Sequence, residues 1–172
     1  MAVESVPAGT RAARPRTRRR EAGAPVAVSR RSLDAQERRL EAELRRHYPQ
    51  ADLTAVGEAY RFAAQAHADQ VRATGEPYVS HPLAAAMILA ELGIDPVAIQ
   101  ATLLHDLPED TDASLGDVEE GFGGEVARLV DGVTKLSKFS THSHEEQQAE
   151  NIRKMFLAMA EDVRVVIIKL AD

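Results

Sequence analysis

The stretch LLHDLPEDTD, Leu103 to Asp112, ends an apolar run in a histidine and then places Asp106, Glu109, Asp110 and Asp112 within seven residues. Its first half continues a helical pattern. Asp95 with Pro96 is a helix start signal, and Ala98, Ala101 and Leu104 follow at helical spacing, so His105 and Asp106 are expected in the last turn. Pro108 disfavours helical geometry at Leu107, which puts the acids beyond it on a bend.

The same period extends outward in both directions. Upstream, Pro82 sits at the first position of a helix that runs to Glu91 and closes at Gly93, leaving His81 at its mouth. Before that, Thr54 to Gln70 carries Val56, Tyr60, Ala63, Ala64 and His67 on one side and runs into a polar loop, Asp69 to Pro77. On that Ala-rich face His67 reads as a satisfied structural histidine, with a supporting role beside the loop left open. Leu33 to His47, with Leu40 and Leu44 among charges, is a short amphipathic lead-in.

Downstream, Ser114 can cap a short helix with Leu115 and Val118, and after several glycines Val126, Leu129, Val130 and Val133 resume the spacing. Residues 137–141 read as a connection, with His142 and His144 exposed beside it. Ser143 with Glu146 matches a capping box before a helix carrying Ile152, Met155, Phe156 and Met159. The closing run VRVVIIKLAD favours a buried strand by its β-branched residues and a helix by its neighbours. We read it as a buried helix capped by Asp162. The expected fold is all-α and single-domain over residues 33–172.

Composition limits what this domain can do. The 172 residues are 44% hydrophobic, enough for one core, and contain no cysteine, which excludes disulfides, thiolate metal sites and a thiol nucleophile. No apolar run reaches the length that spans a bilayer, and no secretory signal opens the chain, so a soluble cytoplasmic protein is expected. Eight arginines face Glu4 and Glu21 across the first 31 residues, whereas from His47 onward 9 Lys and Arg oppose 21 Asp and Glu. The acidic body makes duplex DNA an unsuitable partner. The Arg-, Ala- and Pro-rich segment 1–32 reads as a disordered tail, with an RNA-touching arm and a transit sequence as alternatives.

His81, His105, Asp106 and a later carboxylate supply neutral imidazoles and anionic oxygens of the kind that hold Mn²⁺, Fe²⁺ or Zn²⁺. Taken singly, each has a plainer reading: His81 as a helix-start histidine bonded to backbone, Glu109, Asp110 and Asp112 as solvated acids. A His-Asp pair also recurs by chance. If an anionic substrate is bound, Arg72, Lys135, Lys138, Arg153 and Lys154 are the candidates to meet it, with Lys135 to Lys138 read first as a solvated helix end.

Five segments give the pattern a context. QVRATGEPYVSHPLA, AIQATLLHDLPEDT, FGGEVARLVDGVTKLSK, EEQQAENIRKM and VRVVIIKLAD closely resemble, in this order, the N-terminal hydrolase domain of the long Rel/SpoT family of (p)ppGpp synthetase/hydrolases. The resemblance covers about residues 51–172. It implies the helical bundle of the HD phosphohydrolases, with Mn²⁺ held by His81, His105, Asp106 and Asp172. It also implies a part in hydrolysis for Glu109 and Asp110, and a nucleotide-holding loop containing Arg72 and Thr74. The implied reaction removes the 3′-pyrophosphate of (p)ppGpp, giving GDP or GTP and pyrophosphate.

In that family further hydrolase helices and a nucleotidyltransferase domain follow KLAD. The chain is therefore expected to be an N-terminal fragment, truncated at the C-terminal side of its hydrolase domain. Any association with the ribosome would belong to the further parts. Asp172 is expected to fray, and an apolar face of Val163, Val166, Ile167 and Leu170 is expected to lack partners and favour self-association. Two other functions stay open: a catalytically silent regulatory fragment, and an HD phosphohydrolase of another nucleotide.

Overall fold

The computed structural model of the protein describes the backbone of residues 30–137 and 144–172, with side chains from 35 to 137 and from 153 to 172. The Arg-rich segment 1–29, the connection 138–143 and the Ser143 cap lie outside the described residues. Among those described there are nine helices and no strand, only an isolated bridge between Val71 and Pro77. None of these helices is long and apolar enough to cross a membrane.

Helix α4 (Pro96–Leu104) is the centre of the bundle. Asp95 caps it, accepting hydrogen bonds from the backbone N–H groups of Val97 and Ala98, each at 3.1 Å. Seven consecutive residues, Ala98 to Leu104, are buried. A helix apolar on every side has no solvent face and must be surrounded. Helices α2 (Thr54–Ala66), α3 (Ser80–Glu91), α7 (Gly124–Ser137) and α9 (Val163–Ala171) surround it. Burying Leu103 and Leu104, 1% and 0% exposed, contributes about 1.5–3 kcal/mol each.

Helix α1 (Arg30–His47) adds Leu40 and Leu44 to the same core and packs on α2 and α3. Its end locks the turn between α3 and α4: Gly93, at φ +73°, offers its carbonyl to the Tyr48 hydroxyl at 2.7 Å. A side chain at Gly93 would meet both that backbone strain and the His47 ring, 2.9 Å away.

Three local expectations need correction. Helix α2 stops at Ala66, short of Gln70; beyond it His67 bonds Gln70 locally, and Gln70 reaches the Asp110 carbonyl across the fold. Pro108 does not produce a bend: Leu107–Asp110 forms a one-turn helix, α5, whose first turn tolerates proline since the missing N–H there has no intrahelical acceptor. The N–H groups of Glu109 and Asp110 both bond the Asp106 carbonyl.

The third correction concerns the C-terminal face. Val166 is buried at 5% exposure and Ile167 half-buried, so the exposed apolar face expected there shrinks to Val163 and Leu170. The larger exposed apolar set lies instead on α8 (His144–Glu161), where Met155, Phe156, Leu157 and Met159 face outward.

The helical reading of VRVVIIKLAD holds. Asp162 caps α9 through a 2.9 Å bond from the Arg164 N–H, and Val165, Val166 and Ile168 are buried. Tertiary packing overrides β propensity here. Arg164 ties the start of α9 to two neighbours, pairing with Asp162 at 2.7 Å, Glu125 at 2.8 Å and Asp95 at 3.2 Å. Gly132 of α7 allows α9 to approach closely, since a Cβ there would lie 2.8 Å from Val165 Cγ2. Helix α6 (Leu115–Phe122) packs on α7 and begins with the expected Ser114 cap, a capping box completed by Asp117.

Candidate metal centre and the acids beside it

Three helices deliver four side chains to one point. His105 leaves the end of α4 in helical geometry, and its Nδ1 lies 2.7 Å from the Thr102 carbonyl. A carbonyl only accepts, so Nδ1 carries the proton and Nε2 is turned to the site. That Nε2 is 3.0 Å from Asp106 Oδ1 and 3.1 Å from Asp172 Oδ1. His81, expected just ahead of a helix starting at Pro82, lies inside the first turn of α3, which begins at Ser80, and places Nε2 2.7 Å from the same Asp172 oxygen and 3.7 Å from Asp106 Oδ2.

Asp106 stands where an N-cap of α5 would stand, yet its side chain caps nothing and faces the imidazoles. Asp172, expected to fray, is instead tied down: its N–H bonds the Ile168 carbonyl, and Lys169 holds its other carboxylate oxygen.

The electrostatics favour a positive charge at this point. Burial disfavours the His105 imidazolium, but hydrogen bonds to Asp106 and Asp172 outweigh it and raise the pKa to about 10. The bond with His105 and the nearby Lys169 hold the Asp172 carboxyl well below the usual carboxylate range. For Asp106, burial opposes ionisation, and hydrogen bonds from His105 and Tyr78 overcome it, so its pKa is also lowered.

With no positive charge between them, the His105 lone pair would face two anionic oxygens. A proton or a cation removes that conflict. The donor atoms of His81, His105 and Asp106 lie within 4.8 Å of one another, and Asp172 touches both imidazoles. Two imidazole nitrogens with two carboxylates form a donor set that fits a divalent metal ion.

The acids after the His-Asp pair divide. Asp110 is exposed, as Glu109 is, but held: its Oδ2 accepts from the Tyr78 hydroxyl at 2.7 Å, and its carbonyl from Gln70 Nε2 at 2.6 Å. Glu109 is exposed, and among the described residues no side chain bonds its carboxylate. Asp112 is exposed beyond the turn.

Arg72 and Thr74 lie on an exposed loop folded back on itself, with the Arg72 N–H bonded to the Glu76 carbonyl at 2.8 Å and the Gly75 N–H to the Arg72 carbonyl at 2.8 Å. Gln70 and Tyr78 flank this loop, so its base is fastened to Asp110. Lys135, as expected for a solvated helix end, pairs with Asp131 at 2.6 Å.

Sequence reasoning missed Tyr78 and Gln70. Tyr78 sits three residues before His81, but only the fold shows its hydroxyl between Asp106 Oδ2, at 3.0 Å, and Asp110. His67, expected to be satisfied, is so at one nitrogen alone. Its Nδ1 lies 2.8 Å from Gln70 Oε1, while Nε2 is buried without a partner among the described residues.

The HD domain family model matches residues 59–172, and the chain belongs to that family. Among curated relatives, a GTP pyrophosphokinase of Myxococcus xanthus is 50% identical over 144 residues, covering 82% of this chain and 19% of the relative. A probable guanosine-3′,5′-bis(diphosphate) 3′-pyrophosphohydrolase of Synechocystis is 55% identical over 117 residues, covering 68% and 15%. The bifunctional (p)ppGpp synthase/hydrolase SpoT of Escherichia coli is 48% identical over 126 residues, covering 73% and 18%. The chain thus spans under a fifth of the length of these relatives. A solved metazoan ortholog of SpoT, described as hydrolysing ppGpp with a role in starvation responses, matches with a TM-score of 0.54 and 34% identity, over 69% of this chain and 65% of that one.

Proposed function

We propose that residues 33–172 form a Mn²⁺-dependent hydrolase domain that removes the 3′-pyrophosphate of (p)ppGpp. The observation that carries this reading is the meeting of His81, His105, Asp106 and Asp172, with Tyr78 linking Asp106 to Asp110. The relatives aligned with the same region include proteins named as 3′-pyrophosphohydrolases of guanosine bis(diphosphate).

His81, His105, Asp106 and Asp172 would hold the ion, which supplies charge neutralisation on phosphate oxygens and lowers the pKa of water. Glu109, exposed and without a side-chain bond, accepts a proton from the attacking water. The water oxygen forms a new bond to the phosphorus nearest the ribose, the bond from that phosphorus to the 3′-oxygen breaks, and a proton returns to the 3′-oxygen. Asp110 fixes the turn that bears Glu109. Arg72 and Thr74, on the loop fastened to Asp110, meet the guanosine nucleotide.

The test is direct: the purified chain with Mn²⁺ and ppGpp labelled in the 3′-pyrophosphate should release labelled pyrophosphate, and should leave deoxynucleoside triphosphates intact. Turnover of deoxynucleoside triphosphates in preference to ppGpp would reassign the substrate. Silence toward both, with Mn²⁺ bound, would favour a regulatory role without turnover.

A further inference from the structure

Beside the metal centre lies a second polar assembly, built from the end of α2 and the residue that follows the 71–77 bridge. Gln70 Nε2 donates to the Asp110 carbonyl, which can only accept, so the amide orientation is fixed and Gln70 Oε1 faces His67. His67 Nδ1 must then carry the hydrogen. Its Nε2, in a residue 2% exposed, has no partner among the described residues. An unpaired buried nitrogen is unfavourable, so packing alone gives no reason for an imidazole here, whereas the Nδ1–H bond does.

The Tyr78 ring stacks on this imidazole, with centroids 4.5 Å apart and planes 24° from parallel. The stack sets the direction of the hydroxyl. That hydroxyl has one proton and two carboxylate neighbours, Asp110 Oδ2 at 2.7 Å and Asp106 Oδ2 at 3.0 Å. The Tyr78 N–H also bonds the Gln70 carbonyl at 3.0 Å, closing the assembly on itself.

We propose that His67, Gln70 and Tyr78 form a clamp that positions Asp110, and with it the turn bearing Glu109, against the His81, His105, Asp106 and Asp172 centre. Asp110 is gripped twice, at its side chain and at its carbonyl, and Glu109 at neither. The two neighbouring acids therefore take different parts: Asp110 anchors the turn and Glu109 meets water. Tyr78 is a positioning residue, linking a ligand of the proposed metal site to the acid turn. The clamp's part in turnover rests on the hydrolase reading given above, and its grip on Asp110 does not.

Tyr78→Phe keeps the ring and removes the hydroxyl. With ppGpp and Mn²⁺, kcat should fall about 10- to 100-fold while KM stays within about threefold. The rise in melting temperature caused by Mn²⁺ should persist. In a Glu109→Gln background the same change should cost less than about threefold more, since a clamp acting through Glu109 has nothing left to position.

Hydrogen exchange needs no turnover. In Tyr78→Phe the amides of Asp110 and Thr111 should exchange at least about tenfold faster, with α4 amides unchanged. Gln70→Glu, which sets a carboxylate against the Asp110 carbonyl, should act in the same direction and covers the case in which Tyr78→Phe folds poorly. Wild-type exchange at Asp110 and Thr111 in both variants overturns the clamp, as does a full further loss from Tyr78→Phe in the Glu109→Gln background. If the wild-type chain releases no pyrophosphate, the hydrolase reading fails by itself and the exchange result still decides the clamp.

Discussion

His105 and Glu109 stand four residues apart on the two sides of one corner, and the protein treats them in opposite ways. His105 is 2% exposed, with one ring nitrogen on the Thr102 carbonyl and the other between two carboxylates. Glu109 is exposed and carries no side-chain bond among the described residues. Groups that hold a charged centre must be fixed before it arrives, because any freedom they keep is lost on binding. A group that takes a proton from water needs access to water. The corner between α4 and α5 supplies both environments within one turn.

That contrast breaks most visibly at His105. His105→Ala should abolish the Mn²⁺-induced rise in melting temperature and lower pyrophosphate release by about 10³-fold or more, since a ligand that binds only the native state stabilises it through intact donors. An undiminished Mn²⁺ shift in this variant would place the ion elsewhere. Glu109→Gln should separate the two sides of the corner: release about 10²-fold lower, with the Mn²⁺ shift intact. If this variant loses the shift as well, Glu109 is a ligand and the division of labour is wrong.

The pH dependence sharpens the comparison without mutation. The folded pKa of His105 is raised from 6.5 to about 10, so in chelator its contribution to stability is complete below about pH 6.5 and is lost as pH rises toward 10. The pKa values of Asp106 and Asp172 are lowered from 3.8, so their contribution is present above that value and lost as pH falls below it. In chelator the melting temperature should therefore decline between pH 6.5 and 8.5.

Mn²⁺ must displace the His105 proton, so its apparent affinity should rise with pH over the same interval, by up to about tenfold per unit. Calorimetry at several pH values with and without Mn²⁺ measures both slopes. A melting temperature in chelator that is flat or rising over that interval would show that His105 is not charged in the metal-free protein.

The smallest expected effect lies away from the corner. Gly132→Ala brings a Cβ to 2.8 Å from Val165 Cγ2, so the Val165 side chain, or α9 with Asp172 at its end, has to give way. Overpacking of about 1–3 kcal/mol is set against about 1 kcal/mol of improved helix propensity. A net loss of up to about 2 kcal/mol, with a several-fold weaker Mn²⁺ response, is expected from denaturation and thermal shift. A variant as stable as wild type and with full Mn²⁺ affinity would show that α9 can move without disturbing the centre.

Much of the molecule was legible as a string of residues. Helical periodicity with caps at Asp95, Ser114 and Asp162 gave the all-α class and the element starts, because caps and amphipathic spacing are local physics. The four proposed ligands came from motifs and a family resemblance, and the fold brings them together across 91 residues of chain. Local rules failed where a tertiary bond competed with them. Proline before an acid turn read as a bend, although α5 forms there, and α2 ends before Gln70, whose amide bonds the Asp110 carbonyl instead.

The sequence by itself determined which residue types were available to a metal centre and that they would sit at helix ends. Only the tertiary structure decided that Asp110 is gripped and Glu109 left open, that Tyr78 lies between two carboxylates, and that Val166 is buried while Phe156 is exposed. The physical reason is range. Capping and periodicity act over three or four neighbours, whereas a hydroxyl shared by Asp106 and Asp110 depends on how the chain returns over separations of 28 and 32 residues. That return is set by packing around α4, which no short window of sequence contains.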